Sequence, residues 1–331
     1  MIDSHCHIHD RSTYNYAYSR QQVGKKLLKK YPDLPHEPSD FTPEKIISRA
    51  HAAGVDKMIC IGTSHDDSLA ARDFALQHSA DGIFWSYGIH PDEASELESF
   101  SSEHLATNGI QLFSPTSASA SNWKSSVSEH LATNGAQLFS PTSAVTTRTG
   151  DEPRDDAREE RFGEKMLNPL VAIGEVGLDY RNGESNRKNQ IELFENMLQL
   201  AKDNNLPVIF HIRDAFPDFF AIIENFPGLK GVVHSFSDGP ENLQKSLSHD
   251  FYIGVNGLAT FAPELPIAEV PLGKLLLETD APFLTPAPFR GTVNEPARIK
   301  EICAYVSKLK GESEETIART TTENAERLFN I

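Results

Sequence analysis

The sequence predicts a single α/β domain folded as a (β/α)8 TIM-like barrel, and three observations carry that expectation. Eight short apolar, β-branched runs recur at residues 1–4, 57–63, 83–90, 171–177, 207–213, 231–236, 251–257 and 274–280. Most are followed by a longer stretch with helical spacing, the alternation that parallel sheets require. Metal-type side chains collect at the C-terminal ends of the runs, the rim on which such barrels build their sites. A doubly wound open sheet is the weaker alternative, because the polar residues fall where closure would bring them together.

Helices are expected at 43–53 before Gly54, at 67–78, at 187–205 before Leu206-Pro207, and at 240–248. A C-terminal pair, about 295–309 and 313–329, is divided by Gly311 and Glu312, a stop signal. Between His90 and Val171 the rhythm ceases for about 80 residues, far longer than an ordinary loop. There, residues 102–118 and 128–144 are the same 17-residue string offset by 26 positions, differing only at Ile110 versus Ala136. Two copies are too few for a solenoid, and branched aliphatics are scarce, so 99–165 reads as a low-complexity duplicated insertion within a barrel spanning 1–331. Its downstream edge, 151–164, sets seven acidic residues against Arg154, Arg158 and Arg161 and reads as a solvated helix or linker.

A second extension, 11–42, follows the first run and carries Arg20, Lys25, Lys26, Lys29 and Lys30 beside Tyr14, Tyr16 and Tyr18. On the active-site face of a barrel, this loop either holds a single-stranded phosphate backbone and stacks a base, or forms an amphipathic helix with Leu27 and Leu28 inward.

With 31 Lys and Arg against 47 Asp and Glu among 331 residues, the formal charge is −16. A phosphate backbone is repelled at long range, which excludes a protein that coats duplex DNA through a broad basic face. The cysteines Cys6, Cys60 and Cys303 are odd in number and far apart, which argues against a disulfide framework. Neither a leader-like N-terminus nor a span of about 20 apolar residues is evident, so a soluble cytoplasmic protein is expected.

The chemistry lies in His5 and His7 after the first run, Glu175 in the fourth, His211 in the fifth, His234 in the sixth and Asp280 at the end of the eighth. His5 and His7 are two apart and so project to one side of a strand. A lone buried histidine is usually a hydrogen-bonded core residue, but six metal-type side chains at matching strand ends point to a shared centre. Imidazole with carboxylate suits a transition ion, and six ligands suggest two ions bridged by one carboxylate. Two such ions acidify a water and clamp the attacking and leaving oxygens of a phosphoryl group, with Asp280 placed to orient that water or take its proton. Cys6, between two ligands, is expected to point away as a small buried thiol. His9, His36, His51, His65, His78 and His249 have no place in the pattern and read as surface or capping residues. His104 and His130 occupy matching places in the two copies, so neither is expected in a unique catalytic constellation.

These residues sit in recognisable strings. They are Ile2-Asp3-Ser4-His5-Cys6-His7, Gly88-Ile89-His90-Pro91, the stretch Ala172 to Tyr180 reading AIGEVGLDY, and Phe210-His211-Ile212-Arg213-Asp214-Ala215. To them add Gly231-Val232-Val233-His234-Ser235-Phe236, the stretch Leu277 to Leu284 reading LETDAPFL, Pro288-Phe289-Arg290-Gly291 and Asn294-Glu295-Pro296. Together they resemble the TatD family of metal-dependent nucleases, a branch of the amidohydrolase-like barrels, over nearly the whole chain except the two extensions. The resemblance implies that His5, His7 and Asp280 hold one divalent ion, that His211 and His234 hold the other, and that Glu175 bridges them. It places His90 and Arg213 at the substrate phosphate, with Asp179 and Arg290 as further substrate-binding groups. The implied activity is a 3′–5′ exonuclease-like hydrolysis of DNA, single-stranded by preference, using Mg, Mn or Zn, with Glu175 and Asp280 catalytic.

An alternative is an amidohydrolase acting on an amide or ester of a small molecule or an aminoacyl-tRNA, since the same ligands polarise a carbonyl. The fourth run carries Glu175 rather than the lysine that many amidohydrolases carboxylate to bridge their ions, which favours the phosphodiester. A third reading, a non-catalytic scaffold, is disfavoured by the complete ligand set.

Overall fold

The computed structural model describes residues 1–21, 23–98, 170–183 and 186–331. One unit is formed by Met1–Asp92 and Pro169–Ile331, another by Glu93–Asn168. The insertion expected at 99–165 lies outside the described residues. The first unit holds eight parallel strands hydrogen-bonded in chain order. They are β1 (Ile2–Cys6), β2 (Lys57–Cys60), β3 (Ile83–Tyr87), β4 (Leu170–Asp179), β5 (Val208–Arg213), β6 (Gly231–Val233), β7 (Tyr252–Val255) and β8 (Leu275–Leu277). The helices of this unit are α1 (Arg11–Arg20), α2 (Lys25–Lys30), α3 (Pro43–Ala52), α4 (His65–Gln77), α5 (Arg187–Asp203), α6 (Phe216–Ile223), α7 (Pro240–Ser248), α8 (Ile299–Lys310) and α9 (Glu314–Phe329). No helix among the described residues is long and apolar enough to cross a membrane.

Strands β1, β6, β7 and β8 are buried at every position, which is why they read as continuous apolar runs rather than alternating ones. The last strand returns to the first through a parallel bridge between Cys6 and Ala281. Around it, the Asp280 amide donates to the His5 carbonyl at 2.9 Å and the His7 amide to the Ala281 carbonyl at 2.8 Å. The barrel is therefore joined at the rim where the first and last ligands lie. Below that bridge, the Ser4 hydroxyl donates to the Leu277 carbonyl (3.0 Å), and Asp3 accepts from the Thr279 amide (2.9 Å).

Most strands end before the apolar runs do. His90, His234 and Asp280 lie just past β3, β6 and β8, where the ladder has stopped and side chains are free to turn inward. Helix α4 begins earlier than expected because Ser64 caps it, its hydroxyl accepting from the Asp67 amide at 3.2 Å, with Asp66 and Asp67 at the positive end of the helix dipole. Helix α8 begins later because Pro296–Arg298 forms a 3₁₀ turn, while Glu295 is tied to Arg49 Nε at 2.6 Å. It ends at Gly311, whose φ of 69° a glycine adopts without penalty.

Helix α6, absent from the sequence expectation, is eight residues long and apolar at every position but Asp218, so its buried face of Phe216, Phe219, Phe220 and Ile223 stands out little against the rest of the segment. Its Phe219 packs edge-on to Phe210 of β5 with ring centroids 5.2 Å apart. In the first extension, α1 and α2 form with Leu27 and Leu28 half-buried and Lys25, Lys26, Lys29 and Lys30 exposed. Tyr14 is buried, whereas Tyr16 is 53% exposed and carries the Arg20 guanidinium 5.2 Å from its ring centre.

A cluster of Ile2, Ile59, Val171, Ile209, Val232 and Leu276 is sealed by Ala325, Leu328 and Phe329 at the end of α9. Phe329 is 3% exposed, so Phe329→Ala is expected to cost about 3–5 kcal/mol, the range for emptying a buried aromatic site. Urea denaturation checks this, and a loss below about 1 kcal/mol would mean that α9 is not the closing element.

Candidate metal centre

Strand alternation turns Asp3, His5 and His7 to the same side of β1. The bonds between β1 and the end of β8 hold Asp280 against that side, so the closure of the barrel itself positions three of the candidate ligands. Glu175 enters from the middle of β4, its amide donating to the Gly62 carbonyl at 3.0 Å. Gly88 lets the end of β3 approach closely there, since a Cβ would overlap the backbone of Gly174 and Glu175.

The six predicted ligands converge. His5 Nε2 is 3.4 Å from Glu175 Oε2 and 3.5 Å from Asp280 Oδ1, and His7 Nε2 is 3.5 Å from the same Asp280 oxygen. His234 Nε2 lies 3.7 Å from Glu175 Oε1 and 3.9 Å from Asp280 Oδ1. His211 donates from Nδ1 to Glu175 Oε1 at 2.5 Å and from Nε2 to Asp179 Oδ2 at 3.1 Å. Among the described residues, three groups have donor atoms within 4.8 Å of one another: His5, His7 and Asp280; His5, Glu175 and His234; and His90, Glu175 and His211.

Whether these residues fit a cation is tested by His5. Its side chain is fully buried, and neither ring nitrogen has a hydrogen-bond partner. A polar group taken from water and left unpaired costs free energy that folding must recover elsewhere. Two carboxylates and stacked imidazoles around an orphaned nitrogen are a donor set that a divalent transition ion satisfies. The His5 and His234 rings stack with centroids 3.5 Å apart, which keeps their edges turned toward the same carboxylates.

The electrostatics follow from burial and proximity. Burial, with the neighbouring His234 charge, lowers the pKa of His5, so it is neutral with a lone pair to offer. His90 falls to about 4 through burial and the His211 charge. Burial also works to lower His211 and His234, but carboxylates outweigh it. Glu175 and Asp179 hold His211 up at about 9, and Glu278 and Glu175 hold His234 at about 10. In return, Glu175 is drawn far below the ordinary carboxylate range against the pull of its burial, by the charges of His234, His5 and His211. Asp280 is likewise lowered against its burial, chiefly through His7.

Of the substrate-binding candidates, His90 stands edge-on to His211 with centroids 4.4 Å apart, within liganding reach of Glu175. Asp179 is spent on His211 and on the Arg181 amide (2.9 Å), so its visible work is to orient an imidazole. Arg213 is exposed and pairs in register with Asp179 across β4 and β5. Arg290 is exposed on the loop after β8, its guanidinium 4.5 Å from the Phe261 ring centre. Cys6 is buried as expected, its thiol donating to the Ile59 carbonyl at 3.4 Å.

One expectation is corrected. His9 is not a surface residue: its side chain is fully buried and lies 3.0 Å from Asp67 Oδ1. Burial opposes its protonation, yet the bond to Asp67 holds it up at about 10.

The residue that sequence reasoning missed is Glu278. It is 1% exposed, accepts from the Ser235 amide at 2.7 Å, and lies 2.9 Å from His234 Nδ1, an ion-pair approach without straight hydrogen-bond geometry. Asn256 braces it from β7's end at 3.3 Å, and Gly254 leaves the space its carboxylate fills. The signal was present: Glu278 and Asp280 are two apart, the same parity as His5 and His7. A carboxylate on the far nitrogen of a ligand imidazole orients the ring and raises its basicity. Glu278→Gln is therefore expected to weaken metal binding about 10–100-fold. Titration against a metal chelator reads this directly, and an unchanged affinity would remove Glu278 from the centre.

Comparison with known proteins bears on this geometry. The TatD related DNase family profile matches residues 2–330. An uncharacterized metal-dependent hydrolase of Bacillus subtilis, YabD, is 43% identical over 49% of this chain and 66% of its own length, so this match spans just under two thirds of that relative. The 3′-5′ ssDNA/RNA exonuclease TatD of Erwinia tasmaniensis is 30% identical over 87% of this chain and 93% of that protein. The crystal structure of YjjV, a TatD homologue from Escherichia coli, superposes with a TM-score of 0.65 and 25% identity over 100% of this chain and 98% of the other. A barrel of eight parallel strands and a family match over residues 2–330 agree: this chain belongs to the TatD related DNase family.

Proposed function

We propose that the protein hydrolyses phosphodiester bonds of single-stranded DNA from the 3′ end, using two divalent ions held by His5, His7, Glu175, His211, His234 and Asp280. The observation that carries this reading is the convergence of four imidazoles on Glu175 and Asp280, with the orphaned nitrogens of His5 between those carboxylates. When bound, divalent ions supply an acidified water and neutralise charge at a phosphoryl oxygen.

The chain's own residues do the rest. His5, neutral and unpartnered, offers a lone pair at once, whereas His211 and His234 surrender protons before they can ligate. Glu175, buried between three imidazoles, stays ionised and would supply a carboxylate oxygen to each of two cations. Asp280 is ionised, 15% exposed in its side chain, and positioned to accept a proton from the attacking water. Arg213 and Arg290 lie on the same rim. Among the described residues neither guanidinium has a carboxylate within ion-pair distance, so both are available to substrate phosphates.

The test is metal-stripped protein given 3′-labelled and 5′-labelled single-stranded oligonucleotides with Mg, Mn or Zn restored separately. Stepwise shortening from the 3′ end that needs metal and vanishes in Asp280→Ala is the expected outcome. Cleavage by Asp280→Ala at the parent rate would remove Asp280 from the reaction. Absence of cleavage with every ion, alongside turnover of amides or lactones, would replace the nuclease reading with an amidohydrolase.

A further inference from the structure

Only four large apolar side chains are exposed among the described residues, and two of them, Phe261 and Phe283, follow β7 and β8 on the rim that carries the metal centre. Isolated exposed aromatics are ordinary. These two are different because their backbones are firmly held while the rings face water. The Phe283 amide donates to the Asp280 carbonyl at 2.8 Å, and its carbonyl accepts from Asn294 Nδ2 at 2.6 Å. Asn294 also bonds the Thr279 carbonyl at 2.9 Å, and its amide donates to the Pro282 carbonyl at 3.0 Å. The ring is 38% exposed on a segment with no slack, three residues from a candidate metal ligand.

Phe261 is anchored by the neighbouring loop. Thr260 Oγ1 donates to the Gly257 carbonyl at 2.7 Å and accepts from the Ala287 amide at 2.9 Å, joining the segments after β7 and β8. The Arg290 guanidinium lies over the Phe261 ring, leaving that ring 36% exposed. Planar charge on an aromatic face, with a second held ring on the segment bonded to it, is the composition of a site that takes a base and its phosphate together.

We infer that Phe283 and Phe261 are stacking platforms for unpaired bases flanking the scissile phosphate. Phe283, tied to Asp280, takes the base nearer the reacting group. Phe261, with Arg290 on it, takes one further along the strand. This inference rests on the nucleic-acid reading above and adds the physical basis of a single-strand preference. A paired base has its faces occupied by its neighbours in the helix and cannot lie on these rings without being unstacked. A chain of charge −16 also gains little from long-range attraction, so contacts that do not depend on charge must supply affinity.

The experiment pairs protein variants with altered substrates, using metal-loaded protein. Phe283→Ala is expected to raise KM for a single-stranded oligonucleotide about tenfold, the effect falling on KM rather than kcat, while Phe283→Tyr restores it. An oligonucleotide with an abasic sugar beside the cleaved bond should raise the parent's KM by a similar factor. Phe283→Ala should lose nothing more on that substrate, because the ring and the base it stacks on are then both gone. Phe261→Ala should repeat the pattern with the abasic position moved along the strand.

Multiplicative losses on the abasic substrate, or an unchanged KM in Phe283→Ala, would overturn the platform while leaving the nuclease intact. A fall in the metal content of Phe283→Ala would likewise overturn it, assigning the ring to support of Asp280. Failure of the parent to cleave any oligonucleotide would overturn the nucleic-acid reading and the platform with it.

Discussion

Glu175→Gln is expected to reduce metal-dependent hydrolysis by at least the ~10²–10³-fold that loss of one preorganised electrostatic group costs. The substitution conserves shape, so its effect isolates charge. Glu175 Oε1 is 2.5 Å from His211 Nδ1 and 3.7 Å from His234 Nε2, while Oε2 is 3.4 Å from His5 Nε2. No other carboxylate among the described residues touches all three. An amide there would offer a cation one weak oxygen in place of two strong ones, and its NH₂ would point a donor at the imidazoles proposed as ligands. The folded protein should survive, because the imidazoles shed protons once their counter-charge is gone. Circular dichroism should match the parent, metal analysis should show a lower content, and turnover should be lost. Retained turnover with full metal content would show that Glu175 does not join the two halves of the centre.

The second large effect is the dependence of metal binding on pH. In the metal-free protein, His211 and His234 are held up at about 9 and about 10, so near neutral pH both carry protons that a cation must displace. The sign is definite. Groups whose folded pKa is raised stabilise the metal-free fold fully below their unfolded value of 6.5, and that contribution is lost as pH rises through about 9 and 10. The metal-loaded form does not depend on those protons. Apparent affinity should therefore climb with pH, by up to about tenfold per unit for each displaced proton, until His211 is deprotonated near 9. Thermal denaturation with and without Mn or Zn reads it as a gap in Tm that widens from slightly acid to alkaline pH. Calorimetry in buffers of different ionisation enthalpy should show proton release on binding. A constant gap with no proton release would mean that the imidazoles are already neutral, and that Glu175, Asp179 and Glu278 do not charge them.

The candidate ligands, together with most strands and helices, were legible because their signals are local. A strand repeats every two residues and a helix every 3.6, so the spacing of His5 and His7 and the β-branched runs are properties of short segments that survive without tertiary information. Amphipathic helices such as α5 and α9 declared themselves in the same way. Helix α6 did not, since its phenylalanines pack inward on Phe194, Phe210 and Phe251 while its outer positions include Pro217 and Ala221, which gives too little polar contrast over eight residues to set a period. The family resemblance added the division of ligands between ions. The structure brings the same residues together, but groups His5 with Glu175 and His234 as closely as with His7, and adds His90 beside His211.

What only the tertiary structure decided is which carboxylate meets which imidazole. Glu278 and His234 follow different strands, β8 and β6, and His9 follows β1 while Asp67, the carboxylate 58 residues away that holds its proton, lies in α4. Those encounters depend on strand register and on β8 closing against β1, and neither leaves a trace in local periodicity. An eight-run parallel barrel with imidazoles and carboxylates gathered on one rim was readable from the chain alone, because alternation and side-chain chemistry are written residue by residue. Closure and register determined the protonation state of that rim, because a buried imidazole takes its charge from whatever the fold sets within a few ångströms of it.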